Sequence, residues 1–291
     1  MSAQTQLASP AADEARERAA ALEELLLARV YLYELFHKLM GAAPDADVLE
    51  ALLGQAPAEG AGLYAEDDAT MRGFAAFLEA LAAREDRAAL LDAARDEYTR
   101  LFVGPGALPA PTWESPYLTK EPTLFQENTL AVRAAYRAHG VEPKRLQRVP
   151  DDHVALLCAF MAERARAALT ALRAGDVAAL AAELRDELAF VRAHLTSWLE
   201  AFAQSERRSQ TAVLYPQLIE ALAAFAAVDA TFLTEAAFWV ESLDGLALEA
   251  SEGASLADFE HALAGLASVR PFGSEDYELV PCGRDASLGA A

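Results

Sequence analysis

The sequence predicts an all-α protein, a single globular bundle of roughly ten helices interrupted by one long Gly/Pro-rich loop. Alanine, leucine, glutamate and arginine are abundant among the 291 residues, of which 54% are hydrophobic, and this mixture favours helix over strand. Apolar residues recur at steps of three and four along most of the chain, which is the period of an amphipathic helix. Glycine and proline collect between the periodic segments, where they mark loops.

The first hundred residues contain several helical stripes. A lead-in, residues 1–15, is expected to be disordered, and the stripe that follows it ends at Gly41. Gly54 to Gly62 contains three glycines and a proline and is predicted to be a loop. The other helices of this part begin near Asp45 or Asp47, include Met71 to Leu81, and run from about Asp86 to Phe102.

The segment LFVGPG, Leu101 to Gly106, ends this helical region. Prolines at 105, 109, 111, 116 and 122 then keep about twenty residues out of regular helix, since each proline removes a donor and restricts the residue before it. A loop of this length in a compact domain is either functional or disordered. Trp113 and Tyr117 favour an ordered loop.

Helical periodicity returns near Leu124 and breaks at Gly140. After Pro150 an aspartate is predicted to cap a helix with an apolar stripe. The later helices cover Leu180 to Phe202, Thr211 to about Leu243 with Pro216 in the first turn or at a kink, and a short segment through Leu266, before an irregular tail.

We expect residues 16–235 to form one all-helical domain and residues 236–291 to form a helical extension and the irregular tail. Cys158 and Cys282 lie far apart without a Cys-x-x-Cys pair, which fits a reducing cytoplasm, and Cys158 is expected in the core. The amino terminus lacks the pattern of a secretory signal, and no uncharged apolar run approaches the ~18 residues that span a bilayer.

The formal charge is -21, from 45 acidic and 24 basic residues. This balance argues against general nucleic-acid binding, which needs an excess of lysine and arginine. It fits a basic partner, and it also serves solubility.

Several enzyme and cofactor signatures are missing from the sequence. It contains no Walker loop, no Gly-x-Ser-x-Gly and no His-Glu-x-x-His. Pro105 removes an amide donor from Gly104–Gly106, so this turn does not form a phosphate cradle. Glu34 and His37 have the spacing of a di-iron ligand pair, but the second pair that such a site needs is missing, and we expect no metal and no cofactor.

Asp151, Asp152 and His153 form the densest ionisable cluster. Two interpretations remain open from the local sequence. The carboxylates could accept hydrogen bonds from a cationic partner, preferably arginine. Alternatively, they cap the following helix and interact with its positive end.

Two segments together resemble the signature of the TorD/DmsD family of molybdoenzyme chaperones. The first contains Tyr98, Leu101, Phe102, Gly104 and Pro105, and continues to Trp113, Ser115 and Tyr117. The second, about fifty residues later, is Pro150-Asp151-Asp152-His153 followed by Phe160-Met161. His194, Trp198, Phe202 and Tyr215 are similar to the family's carboxy-terminal helices. Thr112 stands where family members often have a second proline before the tryptophan, and residues 236–291 extend beyond the usual length.

The resemblance implies a TorD-like fold and a cytoplasmic chaperone that is not an enzyme. Its implied partner is the catalytic subunit of a molybdopterin-dependent oxidoreductase, with its twin-arginine leader, whose export or assembly waits for cofactor insertion. No nucleic acid and no stable membrane insertion are expected, and the chain would be a monomer or a homodimer.

A leader with basic residues followed by an apolar stretch needs an apolar groove with acidic groups at one end. Our hypothesis is that Leu101, Phe102, Trp113 and Tyr117 form the apolar part and Asp151, Asp152 and His153 the polar end. Tyr98, Gly104, Pro105 and Ser115 complete the predicted client-binding set. The alternatives are an all-α enzyme with His153 as acid or base beside Asp151 or Asp152, and a purely structural scaffold.

Overall fold

The computed structural model describes residues 10–104, 110–119, 127–206, 213–243 and 254–283. It confirms the all-α class, with twelve α-helices in these ranges. The helices before the long loop are α1 (Pro10–Gly41), α2 (Ala46–Leu52), α3 (Gln55–Gly62), α4 (Ala69–Ala82) and α5 (Arg87–Tyr98). The helices after α5 are α6 (Ser115–Leu118), α7 (Glu127–Ala138), α8 (Val154–Arg173), α9 (Val177–His194), α10 (Leu199–Glu206), α11 (Tyr215–Glu241) and α12 (Ala254–Ser268).

The centre of the bundle is the pair α1 and α8, which pack against each other over most of their lengths. Helix α1 is buried on nearly every side between Leu26 and Met40, as expected of a helix that is apolar all round. Helix α9 packs on α8 and α11, while α10 lies along α11. On the other side, α12 covers α1.

A fully buried ion cluster joins three of these helices. Arg29 Nε of α1 lies 2.5 Å from Asp229 Oδ1 of α11, and Arg29 Nη2 lies 2.5 Å from Glu187 Oε2 of α9. The Tyr33 hydroxyl donates to Asp229 Oδ2 at 2.7 Å. Burial raises the pKa of Glu187 to about 7, although Arg29 opposes the shift.

The apolar sequence of helix α11 is accounted for by packing inside the fold. By length and composition it could cross a membrane, and half of its most apolar window is buried in the protein. Asp229, in its middle, is the buried partner of Arg29. Pro216 lies in the first turn of α11, where its missing N–H is tolerated.

The prediction of a loop at Gly54 to Gly62 is wrong, because Gln55–Gly62 is helical. Pro57 is in the first turn, where no intrahelical donor is needed. A Cβ atom on Gly60 would lie 3.6 Å from the side chains of Leu32 and Phe259. This glycine therefore marks close packing of α3 on its neighbours and not a turn.

Both chain ends also differ from expectation. The expected lead-in is helical from Pro10, and residues 1–9 lie outside the described residues. The tail contains a 3₁₀ turn, Ser274–Tyr277, and a strand, β2 (Leu279–Pro281), that pairs antiparallel with β1 (Val141–Pro143). Sequence periodicity does not reveal so short a ladder, because each strand has only three residues.

Candidate functional site

The loop of residues 110–119 is attached to the segment that leads into α8. An antiparallel bridge pairs Trp113 with His153. The Glu114 N–H donates to the Asp152 carbonyl at 3.1 Å, and the Val154 N–H donates to the Thr112 carbonyl at 2.8 Å. The two segments singled out in the sequence therefore lie against each other.

Asp152 is fully buried and fixes Ser115. Its Oδ2 accepts from the Ser115 N–H at 2.8 Å and from the Ser115 hydroxyl. The Thr129 hydroxyl donates to Oδ1 at 3.4 Å. This carboxylate is used within the protein to hold the loop, and its oxygens face Ser115 and Thr129.

Asp151 is also buried, and it forms an ion pair with Arg133 of α7. Its carbonyl accepts from the Tyr136 hydroxyl at 2.9 Å. Arg133 and Asp151 line a cavity of about 160 Å³ that also includes Arg148. The charge of Asp151 is thus balanced by α7.

His153, and not an aspartate, is the N-cap of α8, which corrects the capping interpretation. Its Nδ1 accepts from the Ala155 N–H at 3.2 Å, so Nε2 carries the proton and donates to the Thr112 hydroxyl at 2.7 Å. Burial, with a contribution from His37, lowers the pKa of His153 to about 3. The ring is neutral at ordinary pH and both nitrogens are occupied, which argues against the acid–base enzyme.

Thr112 has a specific use at the position where the sequence departs from the family pattern. Its hydroxyl accepts from His153 and its carbonyl accepts from Val154. A proline there would keep the carbonyl but lose the hydroxyl. The departure therefore contributes a direct link between the two segments.

Tyr98, Leu101 and Phe102 belong to a separate apolar cluster at the end of α5. After α5 the chain makes a π-helical turn, Thr99–Val103, that buries Leu101 and leaves Phe102 half-buried. The Phe102 ring centroid lies 5.2 Å from those of Tyr98 and Tyr215. Gly104 ends the turn, and the predicted site residue Pro105 lies outside the described residues.

Tyr117 belongs to the cluster on α10. Its ring centroid lies 5.2 Å from Trp198 and 6.0 Å from Phe202, and its hydroxyl donates to the Pro111 carbonyl at 2.8 Å. Half-buried Phe102, Trp113 and Tyr117, together with exposed Val103 and Leu118, are called the client face below.

Sequence reasoning missed three residues that organise this region. Buried Glu97 of α5 accepts from the N–H groups of Val213, Leu214 and Tyr215, and so caps α11 from 116 residues away or more. Glu114 accepts from His194 Nδ1 at 3.0 Å. Arg133 pairs with Asp151. Only Glu114 lies inside a recognised segment, and no local pattern signals the other contacts.

Glu206 of α10 contrasts with these paired groups. It is 1% exposed, and among the described residues neither of its carboxylate oxygens has a hydrogen-bond partner. Burial raises the pKa of Glu206 to about 7, and the negative charge of Glu97 contributes to the shift. A protonated Glu206 carboxyl is therefore favoured below neutral pH.

A groove of about 360 Å³ lies beside the loop, between α7, α8 and α9. Phe160 and Phe190 are among the apolar lining residues, and His194, held by Glu114, forms part of the wall. Asp186, whose side chain is 60% exposed, contributes a negative charge. Arg164 and His139 also line the groove, and His139 Nε2 lies 3.8 Å from Asp186 Oδ2, so charges of both signs border its apolar floor.

The structure offers no support for a metal site. Within the described ranges, no group of three or more His, Cys, Asp or Glu side chains is arranged to hold an ion. Glu34 pairs with Lys38 at 3.2 Å, and His37 Nδ1 donates to the Ala155 carbonyl at 3.0 Å. Cys158 is a buried free thiol in the core, as predicted.

Comparison with known proteins gives consistent similarities. A family model described as the nitrate reductase delta subunit matches residues 62–204. The chain is 43% identical over 72 residues to the Tat proofreading chaperone DmsD of Salmonella typhi, covering 24% of this chain and 35% of that protein. It is 30% identical over 176 residues to the chaperone protein TorD of Vibrio vulnificus, covering 58% of this chain and 77% of that protein. The match therefore spans about a third of the DmsD relative and most of the TorD relative.

Proposed function

The chain belongs to the TorD/DmsD family of molybdoenzyme chaperones, and from that premise we propose that it binds a molybdopterin-dependent oxidoreductase catalytic subunit. The bound element is the subunit's twin-arginine leader, its apo form, or both. Binding in the cytoplasm delays export or assembly until the cofactor is inserted. The chain acts as a chaperone and not as an enzyme, with no cofactor of its own, no nucleic acid and no stable membrane insertion.

The observation that carries this proposal is the attachment of an aromatic loop to α8 by buried polar groups. Asp152 and His153 hold Ser115 and Thr112, and the loop keeps Trp113 and Tyr117 half-exposed. Rigid half-exposed aromatic rings are typical anchors for a peptide. The loop is therefore presented to a partner and not collapsed into the core.

The predicted site divides into two kinds of residue under this proposal. Phe102, Trp113 and Tyr117 contact the apolar stretch of the leader, while Asp152 and His153 hold the loop and Asp151 pairs with Arg133 of α7. Burying each large apolar side chain is worth about 1.5 to 3 kcal/mol. A few such contacts reach micromolar affinity, near about -8 kcal/mol, after ordering losses.

Charge favours a basic ligand over the whole surface and beside the loop. The net charge of -21 attracts a cationic segment at long range. The groove between α7, α8 and α9 adds an apolar floor, with Asp186 exposed at its edge. We place one apolar leader residue in this groove.

The domain limits stay part of the proposal. Residues 16–235 contain the client face and the groove, and residues 236–291 form the extension. The chain acts as a monomer or a homodimer, and the measured mass of the complex distinguishes the two.

A labelled peptide with two adjacent arginines and an apolar stretch tests the proposed function by fluorescence anisotropy. We expect micromolar or tighter binding, weakened at least about tenfold by Trp113→Ala or Phe102→Ala. Phe238→Ala is the matched control, because Phe238 is 77% exposed on α11 outside the client face.

A second peptide, with both arginines replaced by glutamine, checks charge recognition. If neither of the two peptides nor the apo subunit binds, the proposed function is contradicted. Equal losses of peptide affinity for Trp113→Ala and Phe238→Ala would mean that the binding site lies outside the client face. Substrate turnover without a client would favour the enzyme alternative instead.

A further inference from the structure

The C-terminal strap, defined as residues 274–281, lies against the signature residues. The Tyr277 ring centroid is 4.6 Å from that of His153. A Cβ atom on Gly41 would lie 3.4 Å from the Tyr277 side chain, so the ring packs directly on the end of α1. Burial raises the pKa of Tyr98, and the nearby Tyr277 phenol raises it further. One side chain of the strap thus packs on His153 of the second signature segment and lies near Tyr98 of the first.

The strap is bound as an added strand. In the ladder between β1 and β2, Glu142 pairs with Val280. The Lys144 N–H donates to the Glu278 carbonyl and the Cys282 N–H donates to the Gly140 carbonyl, both at 2.8 Å. Strand addition of this kind is a general mode of peptide recognition.

Acidic side chains of the strap cover a basic strip formed by Lys144, Arg145 and Arg148. Lys144 Nζ lies 2.7 Å from Glu278 Oε2. Arg145 Nη1 lies 3.0 Å, and Arg148 Nε 3.5 Å, from oxygens of Asp276. The strap therefore matches its surface in charge as well as in shape.

These contacts hold the strap only loosely. The side chains of Lys144, Arg145 and Arg148 are 45%, 51% and 69% exposed, and ion pairs at such exposure add little to stability. A ladder of three residues adds few hydrogen bonds. Gly273 and Gly283, with φ of +86° and +83°, bracket the strap, and glycine adopts this conformation without strain. Releasing the strap alone therefore requires less free energy than unfolding the whole protein.

We propose that the C-terminal strap is an intramolecular occupant of the surface formed by His153 and the β1 edge, which a bound client segment must displace. His153 bridges to Trp113 and Tyr98 packs on Phe102. The strap therefore contacts one residue that supports the client face, His153, and lies near a second, Tyr98. The strap lies beyond residue 204, where the matched family region ends. It therefore regulates client access in this chain, an inference that rests on the proposed function.

Tyr277→Ala in the full-length chain is the first test, because it removes the contact with His153 and Gly41 without changing charge. Since an occupied site weakens apparent affinity by its free fraction, we expect the leader peptide to bind about tenfold more tightly. Phe272→Ala is the matched control, as Phe272 is fully exposed two residues before the strap. Thermal unfolding of each variant checks that the fold is kept.

A reversible lock is the second test. Glu142 and Val280 are directly paired across the ladder, at the spacing a disulfide can span. The variant Glu142→Cys, Val280→Cys, made with Cys282→Ser to prevent mispairing, should bind leader at least about tenfold more weakly when oxidised. Reduction should restore wild-type affinity.

The outcomes separate the two proposals. Leader binding that is equal in the wild type, Tyr277→Ala and the oxidised lock would overturn the strap as a regulator while leaving the proposed function intact. Hydrogen exchange at the Lys144 and Cys282 amides should accelerate on leader binding, and unchanged protection would overturn it as well. No leader binding in any variant, including the reduced lock, contradicts the proposed function itself.

Discussion

Two attachments meet at His153, and they differ mainly in burial. The loop of residues 110–119 is held by Asp152 and Ser115, which are 0% and 6% exposed. The C-terminal strap is held by pairs such as Lys144 and Glu278, whose side chains are 45% and 26% exposed. A buried acceptor is expensive to remove, whereas an exposed ion pair is worth little. Burial therefore makes the first attachment permanent and leaves the second releasable.

The largest effect is expected from Asp152→Ala. It leaves the buried Ser115 N–H and hydroxyl without an acceptor, and we expect a loss of about 2 to 4 kcal/mol in the free energy of unfolding. Urea denaturation measures this loss. Asp152→Asn keeps one acceptor oxygen and should lose less, while Asp92→Ala, at an exposed position on α5, should change stability by about 0.5 kcal/mol or less. Equal midpoints for the two alanine variants would remove the distinction between the attachments.

The pH dependence of His153 comes next. Its folded pKa of about 3 lies below the ordinary 6.5, so its stabilising effect is complete above pH 6.5 and is lost as pH falls toward 3. Between pH 7.5 and 4.5 this group alone should reduce the free energy of unfolding by about 2 to 3 kcal/mol. His153→Asn, which keeps an N-cap acceptor, should flatten that dependence.

Urea unfolding of the His153 variant at both pH values makes the comparison. His261→Asn on α12, at an exposed position, is the matched histidine control. A dependence that is unchanged in His153→Asn would mean that the ring is not neutral and buried as described.

Glu206 provides an intermediate case, because it is buried but has no hydrogen-bond partner in the part of the chain that the structure describes. Its folded pKa of about 7 lies above the ordinary 4.5, so its stabilising effect is complete below pH 4.5 and is lost as pH rises through 7. Glu206→Gln should therefore raise the free energy of unfolding relative to wild type by about 1 to 3 kcal/mol at pH 8, with a smaller gain at pH 5. Glu200→Gln, at an exposed position on the same helix, is the matched control for the substitution. Equal gains at the two pH values would contradict the raised pKa.

The smallest effect is expected in the strap. Lys144→Ala removes an exposed ion pair and should lower the free energy of unfolding by about 0 to 1 kcal/mol, with the difference shrinking in high salt. Urea denaturation at low and high salt measures both quantities. A loss as large as that of Asp152→Ala would contradict a loosely held strap.

The sequence was informative about helices and about which segments belong together, and less so about contacts. Periodicity located the central helices, because a buried stripe repeats within one segment. It failed at Gly54–Gly62, where Gly60 serves close packing. The sequence identified the signature residues. It did not predict the hydrogen bond between Asp152 and Ser115, which lies 37 positions earlier.

Longer-range contacts left no trace in the local pattern. In the sequence, Glu97 is one acidic residue on a charged helix. In the structure, it caps α11. Tyr277 lies in a segment with proline and glycine that predicts irregular structure, yet it packs on His153. Such pairings depend on how the helices are arranged, and helical periodicity alone does not specify that arrangement.

The buried cluster around Arg29 has a consequence for biosynthesis. Arg29 emerges from the ribosome 200 residues before Asp229, a delay of about 10 to 40 seconds at about 5 to 20 residues per second. For most of that time α1 also lacks α8 (Val154–Arg173), its main packing partner. The first helix therefore waits, apolar and exposed, until most of the chain has been translated. The same dependence makes nascent or truncated chains the forms most at risk of aggregation and proteolysis.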